Sequence, residues 1–367
     1  MRVVSLTLRD FRCYDDAHVA LGEGVTVVSG PNGAGKTNLL EALYFGSTGR
    51  SCRTANEREL VRFGTATTRV VVDTAAADGP HQTAVGFTPG QPKRLQVDGA
   101  PVDRLTDVAT RPLVSVFLPD RLELVKGAPA LRRAHLDQLV AALWPARKQT
   151  RRAYAQALVQ RNALIARIRS GRASRESLGS WDLQLARAGI ELMRDRAAAA
   201  DAIADATRGI AAALGLRPNL AAVYRPLTTA VDADELLGEL RERAGADIER
   251  GFSGHGPHRD DLGLRLEARD LRAYGSQGQQ RISLLALLLA EREAIAAQRG
   301  APPVMLLDDV MSELDQLRRE ALVDLLRRGE GQAVLTTTDL EHVPGSLDPD
   351  VVRLAVADGA VLEEAMA

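Results

Sequence analysis

An eight-residue glycine-rich segment constrains this chain more than any other part of its sequence. It follows the apolar, β-branched residues 25–28 and precedes residues 38–43, which have the pattern of a buried helix. In that context G-x-x-x-x-G-K-[ST] binds phosphate, because backbone N–H groups and a helix N-terminus converge on the loop. The segment consists of Gly30, Pro31, Asn32, Gly33, Ala34, Gly35, Lys36 and Thr37, with Asn38 next. It predicts an ATP-type site, in which Lys36 reaches the β- and γ-phosphates and Thr37 ligates Mg²⁺.

A second segment supplies the carboxylates that such a site needs. Residues 303–307 are apolar and predict a buried strand, and Asp308 and Asp309 follow it directly. At the carboxyl end of a parallel strand, Asp308 is placed to hold Mg²⁺ and Asp309 to orient the attacking water. Lys36 and Asp309 are therefore the predicted catalytic residues.

Two further segments leave alternatives open. Ser276, Gly278 and Gln279 open the apolar helix predicted at 282–298, where they offer donors and a helix dipole to an anion, although Ser276 is also a good N-cap. Arg12 lies in a basic-aromatic turn, residues 9–14, between two predicted strands. That turn is either a plain strand connection or a segment that brings Arg12 near the nucleotide.

Bulk composition limits the class of protein. The chain has 367 residues, 45% hydrophobic and 26% charged, with a net charge of −1, so two domains are expected and any nucleic-acid site must be a local patch. The longest apolar run, residues 282–290, is far shorter than the roughly 20 residues of a membrane span. Cys13 and Cys52 have no metal-ligand spacing. These features predict a cytoplasmic protein with free thiols and no membrane contact.

Helix-forming residues dominate the sequence at 129–250. Within this range the helix breakers Pro145, Gly171 and Gly179 predict several shorter helices. Within them, residues 138–175 contain no Asp or Glu, and Tyr154 and Arg161 lie in this basic stretch. A charge run is usually a solvated helix face, but one this one-sided favours a phosphate-binding surface. The predicted DNA-binding residues are Arg147, Lys148, Arg151 and Arg152. A loop with two histidines and two aspartates, at 255–261, suggests a metal site, although an ordinary polar loop fits its glycines and prolines better.

Taken in order, the four segments resemble the ATP-binding-cassette head: phosphate loop, signature, carboxylate strand and the D-loop 312–315. The chain departs from that pattern at Thr338, where a switch histidine is usual, and at Asp309, where glutamate is usual. Both departures predict slow hydrolysis.

Blocks along nearly the whole chain resemble the RecF family of bacterial DNA replication and repair proteins. They lie at residues 10–14, 37–42, 50–54, 124–133, 256–262 and 307–315. The resemblance implies an ATP-dependent DNA-binding protein of recombinational gap repair and the SOS response, which acts on single-stranded and gapped duplex DNA with RecO and RecR and aids recombinase loading. It also implies a weak, DNA-stimulated ATPase and an ATP-dependent homodimer, in which Ser276 and Gln279 of one chain complete the site of the other.

The expected fold is α/β: an ABC-ATPase head assembled from both chain ends, residues 1–128 and 251–367, with an inserted α-helical arm at 129–250. The alternative function is an ATP-gated, SMC- or Rad50-like structural DNA clamp with negligible turnover. That class would need a much longer coiled coil than residues 129–250 can form.

Overall fold

The structure, a computed structural model, describes residues 1–118, 122–217, 219–329 and 331–363. The chain packs into two compact units. Met1–Arg121 and Ile295–Ala367 form the first, here named the head unit, and Leu122–Ala294 form the second, the helical unit.

A six-stranded, mainly parallel sheet is the centre of the head unit. Its strands, from one edge to the other, are β15 (Ala360–Glu363), β14 (Val352–Ala357), β3 (Val25–Ser29), β13 (Ala333–Thr337), β12 (Val304–Leu307) and β8 (Val114–Phe117). Only β15 runs antiparallel to its neighbour in this sheet. Every residue of β3, β12 and β13 is buried, as expected for apolar strands covered on both faces.

A second, antiparallel sheet belongs to the same unit. Its order is β2 (Tyr14–Ala20), β1 (Arg2–Phe11), β4 (Thr68–Ala76), β5 (Gly79–Phe87), β6 (Arg94–Val97) and β7 (Ala100–Pro101). Buried and exposed residues largely alternate along β2 and β4, so one face packs on the core and the other faces solvent. Helix α1 (Lys36–Thr48) contributes Phe45 to that core, 5.9 Å from the Phe11 ring.

The helical unit combines helices with a small three-stranded sheet. Its helices are α2 (Glu123–Lys126), α3 (Pro129–Leu143), α4 (Lys148–Arg169), α5 (Gly179–Ala213), α6 (Ala233–Arg250), α7 (Leu271–Tyr274) and α8 (Gln277–Arg299), the last of which continues beyond the unit. The sheet has the order β11 (Arg269–Asp270), β10 (Asp261–Leu266) and β9 (Leu220–Arg225). Breaks near Pro145, Gly171 and Gly179 confirm the predicted division into several helices.

By packing, residues 122–128 and 251–294 group with the helical unit. The domain boundaries expected at 128 and 250 differ from this grouping by packing, and they stay a prediction. The remaining long helix, α9 (Gln316–Arg328), follows β12 in the head unit and begins with the capping side chain of Asp315.

Candidate nucleotide-binding site

The glycine-rich loop leaves the central strand β3 and enters α1 in a conformation that requires its glycines. Gly35 has a φ of 119°, and a Cβ there would lie 2.7 Å from the Cys13 Sγ and 3.0 Å from the Tyr14 hydroxyl. Tyr14 also donates a hydrogen bond of 2.9 Å to the Gly35 carbonyl. At Gly30 a Cβ would lie 2.2 Å from the Val356 carbonyl oxygen. The loop is therefore held from behind, and side chains are excluded where the backbone must curl.

Lys36 is the first residue of α1 and is 7% exposed. Its ammonium donates to the carbonyls of Gly30, at 2.7 Å, and Pro31, at 3.0 Å. Burial lowers the pKa of this ammonium, and the charges of Asp309 and Asp308 act in the opposite direction. The cation thus bonds to neutral carbonyls, which a triphosphate can replace.

Asp308 follows the carboxyl end of β12. Two hydroxyls hold its carboxylate, one from helix α1 and one from the neighbouring strand β13. Thr37 Oγ1 lies 2.9 Å from both of its carboxylate oxygens, and Thr336 Oγ1 donates to Oδ1 at 2.7 Å. Burial raises the pKa of Asp308, and both hydroxyls counteract that effect. Thr336 belongs to β13, the strand between β3 and β12, and no role was predicted for it.

Asp309 lies next to this carboxylate in a left-handed conformation, with a φ of 45°. Its N–H donates to Thr336 Oγ1 at 2.9 Å, and the Ser312 hydroxyl donates to its carbonyl and to Oδ2. Among the residues that the structure describes, no group hydrogen-bonds to the buried Oδ1. One carboxylate oxygen is therefore fixed by Ser312, and the other is buried with no partner among the described residues.

These side chains line one cavity of about 300 Å³. Its lining residues are Asn32, Gly33, Gly35, Lys36, Thr37, Asn38, Arg53, Asp308 and Asp309. Arg53 was not assigned to this site from the sequence. Its Nη1 donates to Asn38 Oδ1 at 2.9 Å and to Glu41 Oε2 at 3.3 Å, which brings a second cation to the cavity.

Arg12 is not among the lining residues of that cavity. Its guanidinium binds the buried carboxylate of Glu41 through two hydrogen bonds, of 2.9 and 3.0 Å. The turn at 9–14 therefore has a structural anchor, and a nucleotide contact by Arg12 stays a prediction.

The segment before α8 has the geometry of a capping box. The Gln279 N–H donates to Ser276 Oγ at 3.3 Å, and the Ser276 N–H donates to Gln279 Oε1 at 2.9 Å. Ser276 and Gly278 are exposed. The N-cap alternative is thus present in the single chain, and a contact with a second chain's nucleotide stays a prediction.

The basic stretch at 138–175 does not form one continuous surface. Arg147 pairs with Asp195 at 3.2 Å and stacks on Trp144, and Arg151 pairs with Asp137 at 3.1 Å. Arg152 is exposed and Lys148 half-buried. Arg161 and Tyr154, by contrast, are buried, so the expectation of a basic surface is wrong at those two positions.

The histidine-aspartate loop forms internal hydrogen bonds. His255 bonds to Glu239, His258 to Tyr154 and the Ser253 carbonyl, and Asp260 to Tyr224. No group of three or more His, Cys, Asp or Glu side chains within the described ranges is arranged to hold a metal ion. The polar-loop interpretation therefore fits this region.

The residues of the cavity fit a magnesium–triphosphate complex. Carboxylate and hydroxyl oxygens are the ligands that Mg²⁺ prefers, and this ion usually takes one or two carboxylates with phosphate and water. Asp308 and Thr37 present such oxygens together, and Asp309 lines the same cavity. The positive-φ glycines and Lys36 supply the complementary phosphate cradle.

Comparisons with known proteins agree with this geometry. A family model described as an AAA domain matches residues 5–83. The DNA replication and repair protein RecF of Anaeromyxobacter sp. strain Fw109-5 is 39% identical over 372 residues, which cover 98% of this chain and 99% of that protein.

Solved structures show the same fold. One described as the recombination mediator protein RecF with ATP in the RecFOR pathway has a TM-score of 0.86 and 26% identity, covering 99% of this chain and 98% of the other. An SMC head bound to the winged-helix domain of ScpA has a TM-score of 0.60 at 17% identity, covering 100% and 98%, and shows the fold alone. These likenesses confirm the expected ABC-ATPase head fold with additional helices. No helix within the described residues is long and apolar enough to cross a membrane.

Proposed function

The chain belongs to the RecF family of DNA replication and repair proteins, and we propose that it couples ATP binding to DNA binding in recombinational gap repair. The observation that carries this proposal is the cavity in which Lys36, Thr37, Asp308 and Asp309 converge. In this cavity the phosphate-binding loop, the Thr37 and Asp308 oxygens that would hold Mg²⁺, and the Asp309 carboxylate lie together.

Each of these residues has a separate role in the proposal. Lys36 exchanges its two carbonyl partners for phosphate oxygens, and Thr37 and Asp308 hold Mg²⁺, which neutralises charge on the phosphates when bound. Asp309 orients the attacking water through its carboxylate, while Ser312 holds that carboxylate at Oδ2 and Thr336 accepts a hydrogen bond from the Asp309 N–H. An aspartate reaches less far than a glutamate, so turnover is slow.

The proposal includes a second copy of the chain. Ser276, Gly278 and Gln279 are exposed or half-buried at the start of α8, and Ser276 already presents a hydroxyl and helix N–H groups. In the proposed homodimer they complete the partner's ATP site, and ATP therefore controls assembly on single-stranded or gapped DNA. Such a dimer would act with RecO and RecR, because a solved relative is described as part of the RecFOR pathway. The proposed location is the cytoplasm.

Mixing two inactive variants tests the shared site. Lys36→Ala removes the cation of a chain's own phosphate loop, and Ser276→Arg blocks the segment lent to the partner by bulk and by like charge. A mixed dimer then contains one complete site and one doubly defective site. We expect ATP hydrolysis well above the sum of the separate variants, limited by the share of mixed dimers.

The matched control combines both substitutions in one chain. Mixed with wild type, this double variant forms dimers in which neither shared site is complete, so excess double variant should suppress wild-type hydrolysis. If the sites lie within single chains, the outcomes reverse: the two single variants restore nothing and the double variant does not inhibit. Dimers that form with ATP but release no phosphate would favour the clamp with negligible turnover.

A further inference from the structure

The solvent-facing side of the antiparallel sheet carries three arginines in one register across four strands. In register, Arg9 of β1 lies opposite Arg69 of β4, Arg69 lies opposite Gly86 of β5, and Gly86 lies opposite Arg94 of β6. Residues directly opposite in antiparallel strands share one face of the sheet, and all three arginines are exposed. They are named the arginine row below.

The arginine row is short of acidic partners. None of its three guanidinium groups makes an ion pair within the described parts of the chain, and the acid in the same register is the exposed Asp16, opposite Arg9 on β2. Like charges directly opposite one another destabilise a sheet, as at Arg9 and Arg69. The arginine row thus concentrates positive charge although the contact between like charges destabilises the free protein. A surface of this kind is complementary to a polyanion.

An exposed aromatic ring lies in the loop that enters β4, the strand of Arg69. Phe63 is fully exposed, in the loop that leads into β4. That loop is tied to β1 at both ends, since the Arg62 N–H donates to the Asp10 carbonyl at 2.9 Å and Thr68 Oγ1 donates to the Arg9 carbonyl at 3.0 Å. The loop that carries Phe63 is therefore anchored to the end of β1, and the ring itself is left uncovered.

The dimensions of the row match a DNA backbone. Three strand spacings of about 4.8 Å separate β1 from β6, so the row extends about 14 Å. One strand of B-DNA rises about 3.4 Å per nucleotide, so the row spans roughly four nucleotides. Arginine binds phosphate oxygens, and an exposed aromatic ring stacks on any unpaired base.

We propose that this face of the head unit is a DNA-binding site for the edge of a duplex. Arg9, Arg69 and Arg94 contact phosphates of one strand within about four nucleotides, and Phe63 stacks on the first unpaired base. The inference deepens the proposed function and rests on it. It adds a DNA surface distinct from the predicted arm residues Arg147, Lys148, Arg151 and Arg152.

The first experiment measures how DNA affinity depends on salt for three variants. Arg9→Gln/Arg69→Gln/Arg94→Gln should reduce the log–log slope by about two to three, since each lost phosphate contact removes roughly 0.7 to 0.9. The control, Arg318→Gln/Arg327→Gln/Arg328→Gln on α9, removes the same charge from arginines that already pair with acids, and its slope should be unchanged. The third variant neutralises the four arm residues.

Folding does not confound this test. Because the Arg9–Arg69 pair is a like-charge contact, removing it should leave Tm unchanged or raise it slightly. Nucleotide affinity should also stay unchanged, as none of the three arginines lines the phosphate cavity.

The second experiment uses 2-aminopurine at the first unpaired position of gapped DNA, where stacking quenches its fluorescence. Phe63→Ala should abolish the quenching and weaken binding to gapped DNA by about five- to 150-fold, with no change for blunt duplex. Phe63→Trp should retain both properties. Equal loss on blunt and gapped DNA would contradict stacking on an unpaired base.

The outcomes separate this inference from the function on which it rests. If wild type binds no DNA, the proposed function fails. A different result overturns only the assignment to this face. In that case wild type binds DNA, the arginine-row variant keeps the wild-type salt slope, and the arm variant has a reduced salt slope.

Discussion

Two regions of this molecule bury charge in opposite ways. In the helical unit, Arg161 is fully buried and its guanidinium reaches Asp182 and Asp247, each at 2.7 Å, and the Ser253 hydroxyl. In the phosphate cavity, Lys36 bonds to carbonyls and Asp309 Oδ1 bonds to none of the described residues. In the first region the buried cation binds carboxylates directly. In the second, the ammonium of Lys36 binds carbonyls and, within the described part of the chain, makes no hydrogen bond to the nearby carboxylates.

The difference separates charges that build the fold from charges that serve a ligand. Breaking a matched buried pair leaves an uncompensated charge and costs stability. Removing an unmatched charge from a binding site costs function and can even stabilise the protein. Three substitutions test this contrast, in order of their expected effect on stability.

Arg161→Leu should have the largest effect. It leaves two buried carboxylates without their cation, so we expect the free energy of unfolding of the helical unit to fall by about 3–5 kcal/mol. Urea unfolding followed by circular dichroism measures this change. Arg167→Leu, an exposed position on the same helix, is the control and should change stability by less than about 0.5 kcal/mol. A loss below about 1 kcal/mol at Arg161 would show that the buried pair is not a determinant of the fold.

The stability of the helical unit should depend on pH through His258. Burial lowers its pKa to about 4, helped by the charges of Arg259 and Arg133 and opposed by that of Asp247. Nε2 bonds to the Ser253 carbonyl and Nδ1 to the Tyr154 hydroxyl, which fits a neutral ring. Since the unfolded chain takes up this proton near pH 6.5, stability should fall by on the order of 2 kcal/mol between pH 6.5 and 4.

The control for that prediction is His258→Gln, which keeps a polar side chain of similar reach but does not titrate. Unfolding curves at several pH values should show a smaller loss for the variant over this range and the same slope as wild type above pH 7. Parallel curves for both proteins would assign the acid sensitivity to another group.

Asp309→Asn should have the smallest effect on stability and a large one on hydrolysis. Asparagine tolerates the left-handed backbone, and the change removes one of two adjacent carboxylates, so stability should stay constant or rise by about 1 kcal/mol. ATP should still bind, while hydrolysis stops and the ATP-bound dimer persists on sizing. Asp324→Asn, exposed on α9, is the control. Wild-type hydrolysis by the Asp309 variant would remove this carboxylate from the mechanism.

What the sequence could predict follows from the range of the interactions involved. The phosphate loop and the carboxylates after β12 are local patterns, and the structure brings Thr37 and Asp308 together as that pattern requires. The burial of Arg161 could not be predicted, because its acids lie 21 and 86 residues away and only packing unites them. In the same way, tertiary contacts bring Arg53 to the cavity and the Thr336 hydroxyl to Asp308.

The position of β3 has a consequence for biosynthesis. The strand that carries the phosphate loop hydrogen-bonds to β13 and β14, whose residues emerge from the ribosome about 300 positions later. At roughly 5–20 residues per second, β3 waits about 15–60 s for its neighbours, longer than the local helices need to form. Nascent chains therefore pass through a stage with an unpaired, β-branched strand, when chaperone cover is most valuable.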